Sequence, residues 1–308
     1  MPSFTTVASL LRDSIPSVAP AAQLVVNWRG EVVHAQAVGV LDPETDPSPV
    51  TAESRFDMAS VTKLFVTATF MRLVEDGVVS LDTPVSQALP AFSGVRPIKP
   101  YEDPLQSGDY VTVAEGGEVD AGAVTYRQLL THISGLPAWR PLFREPSADA
   151  ARAMALHTHF SYPPGTRIIY SDIGLILLGL AVERLTGLPL EAAVARAVSE
   201  PLGLRHTGYR PTTDTNVVPT EVCAWRGHRV RAEVHDENAA RLGGVSGHAG
   251  LFSTAADTAR FGGSFLDESL LRAETVAEMT REQARDGDLR RGLGFVLWSP
   301  DPEASSHP

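Results

Sequence analysis

The chain has 308 residues, 43% hydrophobic and 20% charged, with a formal net charge of −11 and an isoelectric point near 5.3. This balance suits a globular protein with a sizeable core and excludes a largely disordered one, and the excess of acid over base argues against a nucleic-acid footprint. One cysteine, Cys223, allows no internal disulfide and is expected to be a small buried hydrophobe. No apolar run approaches a membrane span and no basic, apolar leader opens the chain, so a soluble cytoplasmic or already processed protein is expected.

In chain order, Val7 to Ser14 spaces Val7, Leu10 and Leu11 on one face of a short helix. Two β-rich runs from Gln23 to Gly39 flank Arg29-Gly30-Glu31 and predict a hairpin. From Ser60 to Asp76, Val61, Leu64, Phe65, Ala68, Met71 and Val74 follow the helical repeat, with Gly77 as the stop. Periodicity fades between Val95 and Val124 into a Pro-, Gly- and acid-rich stretch, a surface loop or small hairpin insertion. Helical patterns return at Tyr126 to His132, Asp149 to His157, Ile173 to Thr186 closed by Gly187, Leu190 to Ser199, and Thr254 to Leu266. The last opens on Thr254-Ala-Ala-Asp257, similar to a capping box.

Ser60-Val-Thr-Lys63 places a hydroxyl and an amine one helical turn apart on the same face. A serine hydroxyl becomes a useful nucleophile when a neighbour accepts its proton, and a lysine does so if burial or nearby charge lowers its pKa. An N-cap serine followed by a solvated lysine would have the same spacing.

The flanking residues add a resemblance. Arg55-Phe-Asp-Met-Ala-Ser-Val-Thr-Lys-Leu-Phe-Val-Thr-Ala68 and Leu73 to Val85 resemble the nucleophile segment of class C β-lactamases and of related esterases and D-alanyl-D-alanine peptidases. Tyr126-Arg-Gln-Leu-Leu-Thr-His-Ile-Ser-Gly-Leu-Pro137 resembles the helix and turn of that group, and Tyr170-Ser-Asp172 stands where the group carries Y-x-N. The resemblance implies Ser60 as acyl-accepting nucleophile and Lys63 and Tyr170 as its proton-handling partners. Asp172 departs from the usual Asn, replacing an amide that donates and accepts with a carboxylate that only accepts. As a substrate-binding residue it would suit an esterase or peptidase better than a β-lactamase. Without the flanks, Asp172 would read as the cap of the following helix.

Relatives of this type complete the site with a K-T-G or H-T-G strand. His248-Ala-Gly250 is the obvious candidate for a substrate-binding wall, although it runs into the Thr254 helix. The third motif is expected after Gly292 to Trp298, and the sequence reaches Pro308 without it, so a C-terminal segment bearing that motif is an expected partner.

The implied fold is α/β: an antiparallel sheet flanked by helices, about residues 1–88 and 220–308, plus a mostly helical lobe at about 89–219, apparently lacking its C-terminal strands. The implied function is hydrolysis of a small ester, amide or peptide through an acyl-enzyme; the alternative is a penicillin-recognising scaffold that binds without turnover, or an inactive fragment. His157-x-His159 and His235-Asp-Glu form no helix-spaced ligand set, so no metal or other cofactor is expected. The glycines from Gly243 to Gly250 lack the Lys-Ser/Thr of a phosphate loop and read as a turn or cleft wall. Arg290-Arg291 reads as solvated surface.

Overall fold

The hairpin predicted around Arg29-Gly30 forms because both residues take positive φ, 52° and 86°, the backbone that a two-residue turn between twisted strands requires. In the computed structural model, which describes residues 4–213 and 215–299, strands Ala21–Trp28 and Glu31–Asp42 pair antiparallel with Val25 opposite Ala35. The Asn27 carboxamide oxygen accepts the Gly30 N–H at 3.0 Å. Asp46–Pro49 adds a third strand to Glu31–Asp42. The N-terminal helix, Thr5–Asp13, begins two residues before its expected start.

A second three-stranded sheet has Leu251–Ser253 at its centre, paired antiparallel with Phe56–Asp57 and with Gly208–Tyr209. The segment after His248 therefore passes through a short buried strand before its helix, Ala255–Gly263, contrary to the expectation of a direct run into a helix. Between residues 95 and 120 the chain forms two small paired elements, Val95–Pro97 with Glu118–Asp120 and Tyr101–Glu102 with Tyr110–Val111.

Helices Thr62–Glu75 and Asp172–Thr186 run through the core, and each buries residues all round rather than along one stripe, as a central helix does. Phe65 stacks on Phe261 with ring centres 3.8 Å apart, and Phe70 packs on Tyr126 at 4.7 Å. Cys223 is buried, as expected.

Local chemistry corrects two caps. Ser171, not Asp172, caps the Asp172–Thr186 helix, its hydroxyl accepting the Gly174 N–H at 3.1 Å. Thr254 accepts the Asp257 N–H, but the Asp257 carboxylate is engaged by the His206 amide and the Thr207 hydroxyl, so the box is not reciprocal. A reciprocal box occurs instead at Thr125 and Gln128, ahead of Tyr126–Leu130. The Leu190 pattern is α-helical only to Val194 and then widens into a π-turn to Ser199. Among the described residues no single helix is long and apolar enough to cross a membrane. The place expected for a third motif, beyond Trp298, falls outside the described residues.

Candidate active site

Ser60 sits on a 3-10 turn, Ala59–Val61, that leads into Thr62–Glu75. The turn hangs from the second sheet: Met58 N–H donates to the Leu251 carbonyl at 2.9 Å, and the Thr62 hydroxyl accepts the Leu251 N–H at 3.1 Å. Ala59 holds φ of +42°, a backbone that a residue with a Cβ adopts only when its surroundings impose it. The Asp57 carboxylate supplies part of that constraint, accepting the Ala59 N–H at 2.8 Å and, with its other oxygen, the His235 N–H at 2.7 Å. Burial raises the Asp57 pKa, and the two amide bonds only partly offset it. Ser60 is exposed and caps nothing, which removes the idle N-cap reading of its hydroxyl.

Lys63 is buried one turn on, and its Nζ donates to Ser60 Oγ at 2.7 Å. It also donates to the His248 carbonyl at 3.2 Å and forms an ion pair with Asp172 Oδ1 at 2.8 Å. Nζ lies 4.6 Å from the Tyr170 ring centre and is hydrogen-bonded to Tyr170. Burial alone would lower the Lys63 pKa, yet Asp172 and Tyr170 outweigh it and hold the ammonium above the ordinary lysine value. Asp172 stands in the first turn of its helix, where the helix N-terminus favours a carboxylate.

Tyr170 is fixed from behind by His132, whose ring lies 4.8 Å from the phenol ring and whose Nδ1 accepts the Ser171 N–H at 3.0 Å. The His132 carbonyl accepts from Ile169 N–H at 2.9 Å and Tyr162 O–H at 3.0 Å. A hydroxyl, an ammonium and a phenol at the starts of two core helices thus meet at one point, with a carboxylate as fourth member.

A family model described as Beta-lactamase matches residues 12–307. The chain belongs to the Beta-lactamase family. A D-alanyl-D-alanine carboxypeptidase, as it is named, from Salmonella schwarzengrund is 30% identical over 336 aligned residues, covering 97% of this chain and 72% of that protein. Among solved structures, the hydrolase EstCE1, described with promiscuous acyltransferase activity, superimposes with a TM-score of 0.74 at 20% identity, covering 98% of this chain and 84% of that one. The octameric penicillin-binding protein homologue from Pyrococcus abyssi gives 0.71 at 22%, covering 97% and 65%. The chain thus spans about two thirds of the archaeal protein. These relationships agree with the β-lactamase/transpeptidase fold implied by the sequence, and the family is one of hydrolases.

Of the predicted site residues of this Beta-lactamase family member, Ser60, Lys63, Tyr170 and Asp172 come together. His248 does so only through its backbone. Its ring is 1% exposed, with Nδ1 2.8 Å from Ser246 Oγ and Nε2 2.9 Å from Asp236 Oδ1, so no ring atom is left to line a cleft. The substrate-wall reading of the His248 side chain is corrected accordingly. Atoms of Asp172, Asp236 and His248 lie within 4.8 Å of one another, a convergence that their sequence spacing does not reveal, and Lys63 Nζ pairs with the first.

Arg291 is the residue sequence reasoning missed. It is 2% exposed, and its guanidinium lies 5.7 Å from the Tyr170 ring centre, contrary to the surface reading. Burial draws its pKa down to about 10, with Tyr170 acting the other way. Arg290 does face solvent, pairing with Glu282. Successive residues of a strand point to opposite sides, and Leu289–Arg291 is a strand, so two adjacent arginines there could not share one environment.

Proposed function

We propose that the chain is a serine acyl-hydrolase that forms an acyl-enzyme on Ser60, acting on small esters and on amides of the D-alanyl peptide class. The observation that carries this is the 2.7 Å contact between Ser60 Oγ and Lys63 Nζ, with Tyr170 and Asp172 on the same ammonium. Ser60 Oγ attacks the acyl carbon. Its proton passes into the Lys63–Tyr170–Asp172 set, the bond to the leaving group breaks, and the set returns the proton to the departing alcohol or amine. Water then attacks the Ser60 ester, giving its proton to the same set, which returns it to Oγ.

Asp172 gives this set a feature that an amide could not. A carboxylate 2.8 Å away holds Lys63 as an ammonium that donates to Ser60 Oγ, and itself offers only acceptor atoms, so the serine proton is received on the acceptor side of the set while Lys63 steadies the oxygen as it gains negative charge. The negative charge also disfavours substrates whose own carboxylate lies close to the scissile bond, so uncharged short-chain esters should exceed penicillins in kcat/KM.

Intact mass after parallel incubation with a fluorophosphonate, a chromogenic ester and a β-lactam tests the proposal. Labelling or turnover of the parent that vanishes in Ser60→Ala supports it; labelling undiminished in Ser60→Ala assigns the nucleophile elsewhere.

A further inference from the structure

We propose that Asp236 and His248 are positioning residues that hold the Lys63 ammonium against Ser60, an inference resting on the acyl-enzyme reading above. The His248 carbonyl is one of the acceptors around Lys63 Nζ, at 3.2 Å. A backbone carbonyl has no side-chain freedom with which to find its donor, so its place is set by whatever clamps its own residue. Here the clamp is the imidazole, caught between Ser246 Oγ at 2.8 Å and Asp236 Oδ1 at 2.9 Å.

Asp236 is in turn fixed in two directions. Its Oδ1 accepts the Ala239 N–H at 2.7 Å and so caps Glu237–Arg241, a short helix bound through Asn238 to the Arg140 carbonyl and the Phe143 N–H, both at 2.9 Å. On the other side the neighbouring His235 N–H donates to Asp57, the carboxylate that also holds the Ala59 turn. The nucleophile and the lysine are thus referenced to one segment, residues 235–239, from two sides. Ion pairing that served only to join loops would not need the His248 carbonyl to face Nζ.

The charges agree with this placement. The groups around Lys63 are Asp172, Tyr170, Asp236 and His248, with Arg291 over the Tyr170 ring. Those around Asp236 are His248, the Ala239 amide, Lys63, Asp57 and His235. Burial acts to raise the Asp236 pKa, but His248, the Ala239 amide and the Lys63 charge together bring it down to about 2. Coupling between two charges is reciprocal: if Lys63 favours ionised Asp236, ionised Asp236 favours the Lys63 ammonium.

The test is steady-state ester hydrolysis across pH for the parent, Asp236→Asn, Asp236→Ala and His248→Asn, with thermal melts of each. Asp236→Asn keeps an oxygen for the Ala239 amide and for His248 while removing the charge. It should melt close to the parent, keep KM, and move the alkaline limb of kcat to lower pH. Asp236→Ala loses position as well as charge and should lower kcat by about tenfold or more at the optimum, with KM unchanged. If Asp236→Ala does not fold, His248→Asn carries the test, since it changes the clamp and leaves the backbone carbonyl; a kcat loss of similar size with unchanged KM is expected. Parental kcat and pH profile in Asp236→Asn and His248→Asn overturn the inference. Absence of Ser60 labelling in the parent would instead overturn the acyl-enzyme reading, so the two failures are distinct.

Discussion

Asp172 Oδ1 and Lys63 Nζ stand 2.8 Å apart, and this ion pair sets the charge of the group that donates to Ser60 Oγ. Burial pushes the Lys63 ammonium pKa down while Asp172 and Tyr170 push it up further. Replacing the carboxylate by an amide removes an upward contribution and leaves burial in place, so the ammonium of Asp172→Asn loses its proton at lower pH than the parent's. The alkaline limb of kcat/KM should therefore move to lower pH in Asp172→Asn. A limb that stays in place, measured on an uncharged ester, would show that Lys63 ionisation does not limit the alkaline side.

Ser60→Ala should abolish labelling by a fluorophosphonate and leave folding almost untouched. The hydroxyl is exposed and caps no helix, so its removal costs no cap. Lys63 retains Asp172 and the His248 carbonyl as partners. A stability change within about 0.5 kcal/mol is expected, the usual range for a surface substitution. Chemical denaturation and intact mass on the same preparation check both halves.

Lys63→Met and Tyr170→Phe should each slow acylation by at least about 10²-fold, the low end for loss of a proton-transfer partner. Lys63 is hydrogen-bonded to both Tyr170 and Ser60, so on the proposed acyl-enzyme reading the two residues act as one unit, and the double variant should be little worse than either single one. Stopped-flow acylation rates that multiply fully across the pair would argue for two independent routes.

Arg291→Gln should lower kcat without unfolding the chain. A cation over an aromatic ring is worth about 0.5–2 kcal/mol, which corresponds to a loss of about 2- to 30-fold if the interaction is made to the phenol as it gives and takes a proton. Arg291→Lys should retain part of the activity. Ester hydrolysis of both variants decides it, and an Arg291→Gln enzyme with the parent's kcat would leave the arginine with a packing role only.

What the sequence revealed and what it concealed divide along the distance between the residues concerned. Ser60 and Lys63 are one turn apart where a strongly patterned helix begins, and Tyr170 stands two residues ahead of another, so local periodicity and flanking residues mark their positions. The Asp236–His248 clamp, the His132 support and the Arg291 contact join residues brought together only by folding. No periodic pattern marks such contacts. The adjacent arginines at 290 and 291 look alike in sequence as one charged surface feature, but strand geometry sends them to opposite sides and buries Arg291. The expected box at Thr254 and Asp257 failed for a similar reason: tertiary partners, His206 and Thr207, occupy the carboxylate that local pairing would have used.

Gly247 supplies the final prediction, because it lies between Ser246 and His248, the two residues of the clamp nearest in sequence. A Cβ on Gly247 would fall 1.9 Å from the Leu175 carbonyl oxygen and 3.0 Å from Gly179 N, both backbone atoms of the Asp172–Thr186 helix. No rotamer change can relieve such a contact, so in Gly247→Ala the 246–248 segment must move away from the helix. That movement takes the His248 carbonyl away from Lys63 Nζ and separates the imidazole from Asp236. Overpacking of this kind costs about 1–3 kcal/mol, occasionally more, and here kcat should fall together with stability. Gly262→Ala is the contrasting variant: the position is exposed, near the end of Ala255–Gly263, with no atom within 4 Å of the added Cβ. Replacing a helical glycine there should stabilise the protein by about 0.5–1 kcal/mol and leave kcat alone. Thermal melts and ester hydrolysis of the two alanine variants, run side by side, check the argument. A Gly247→Ala protein that melts and turns over like the parent would show that the 246–248 segment can shift without disturbing Lys63.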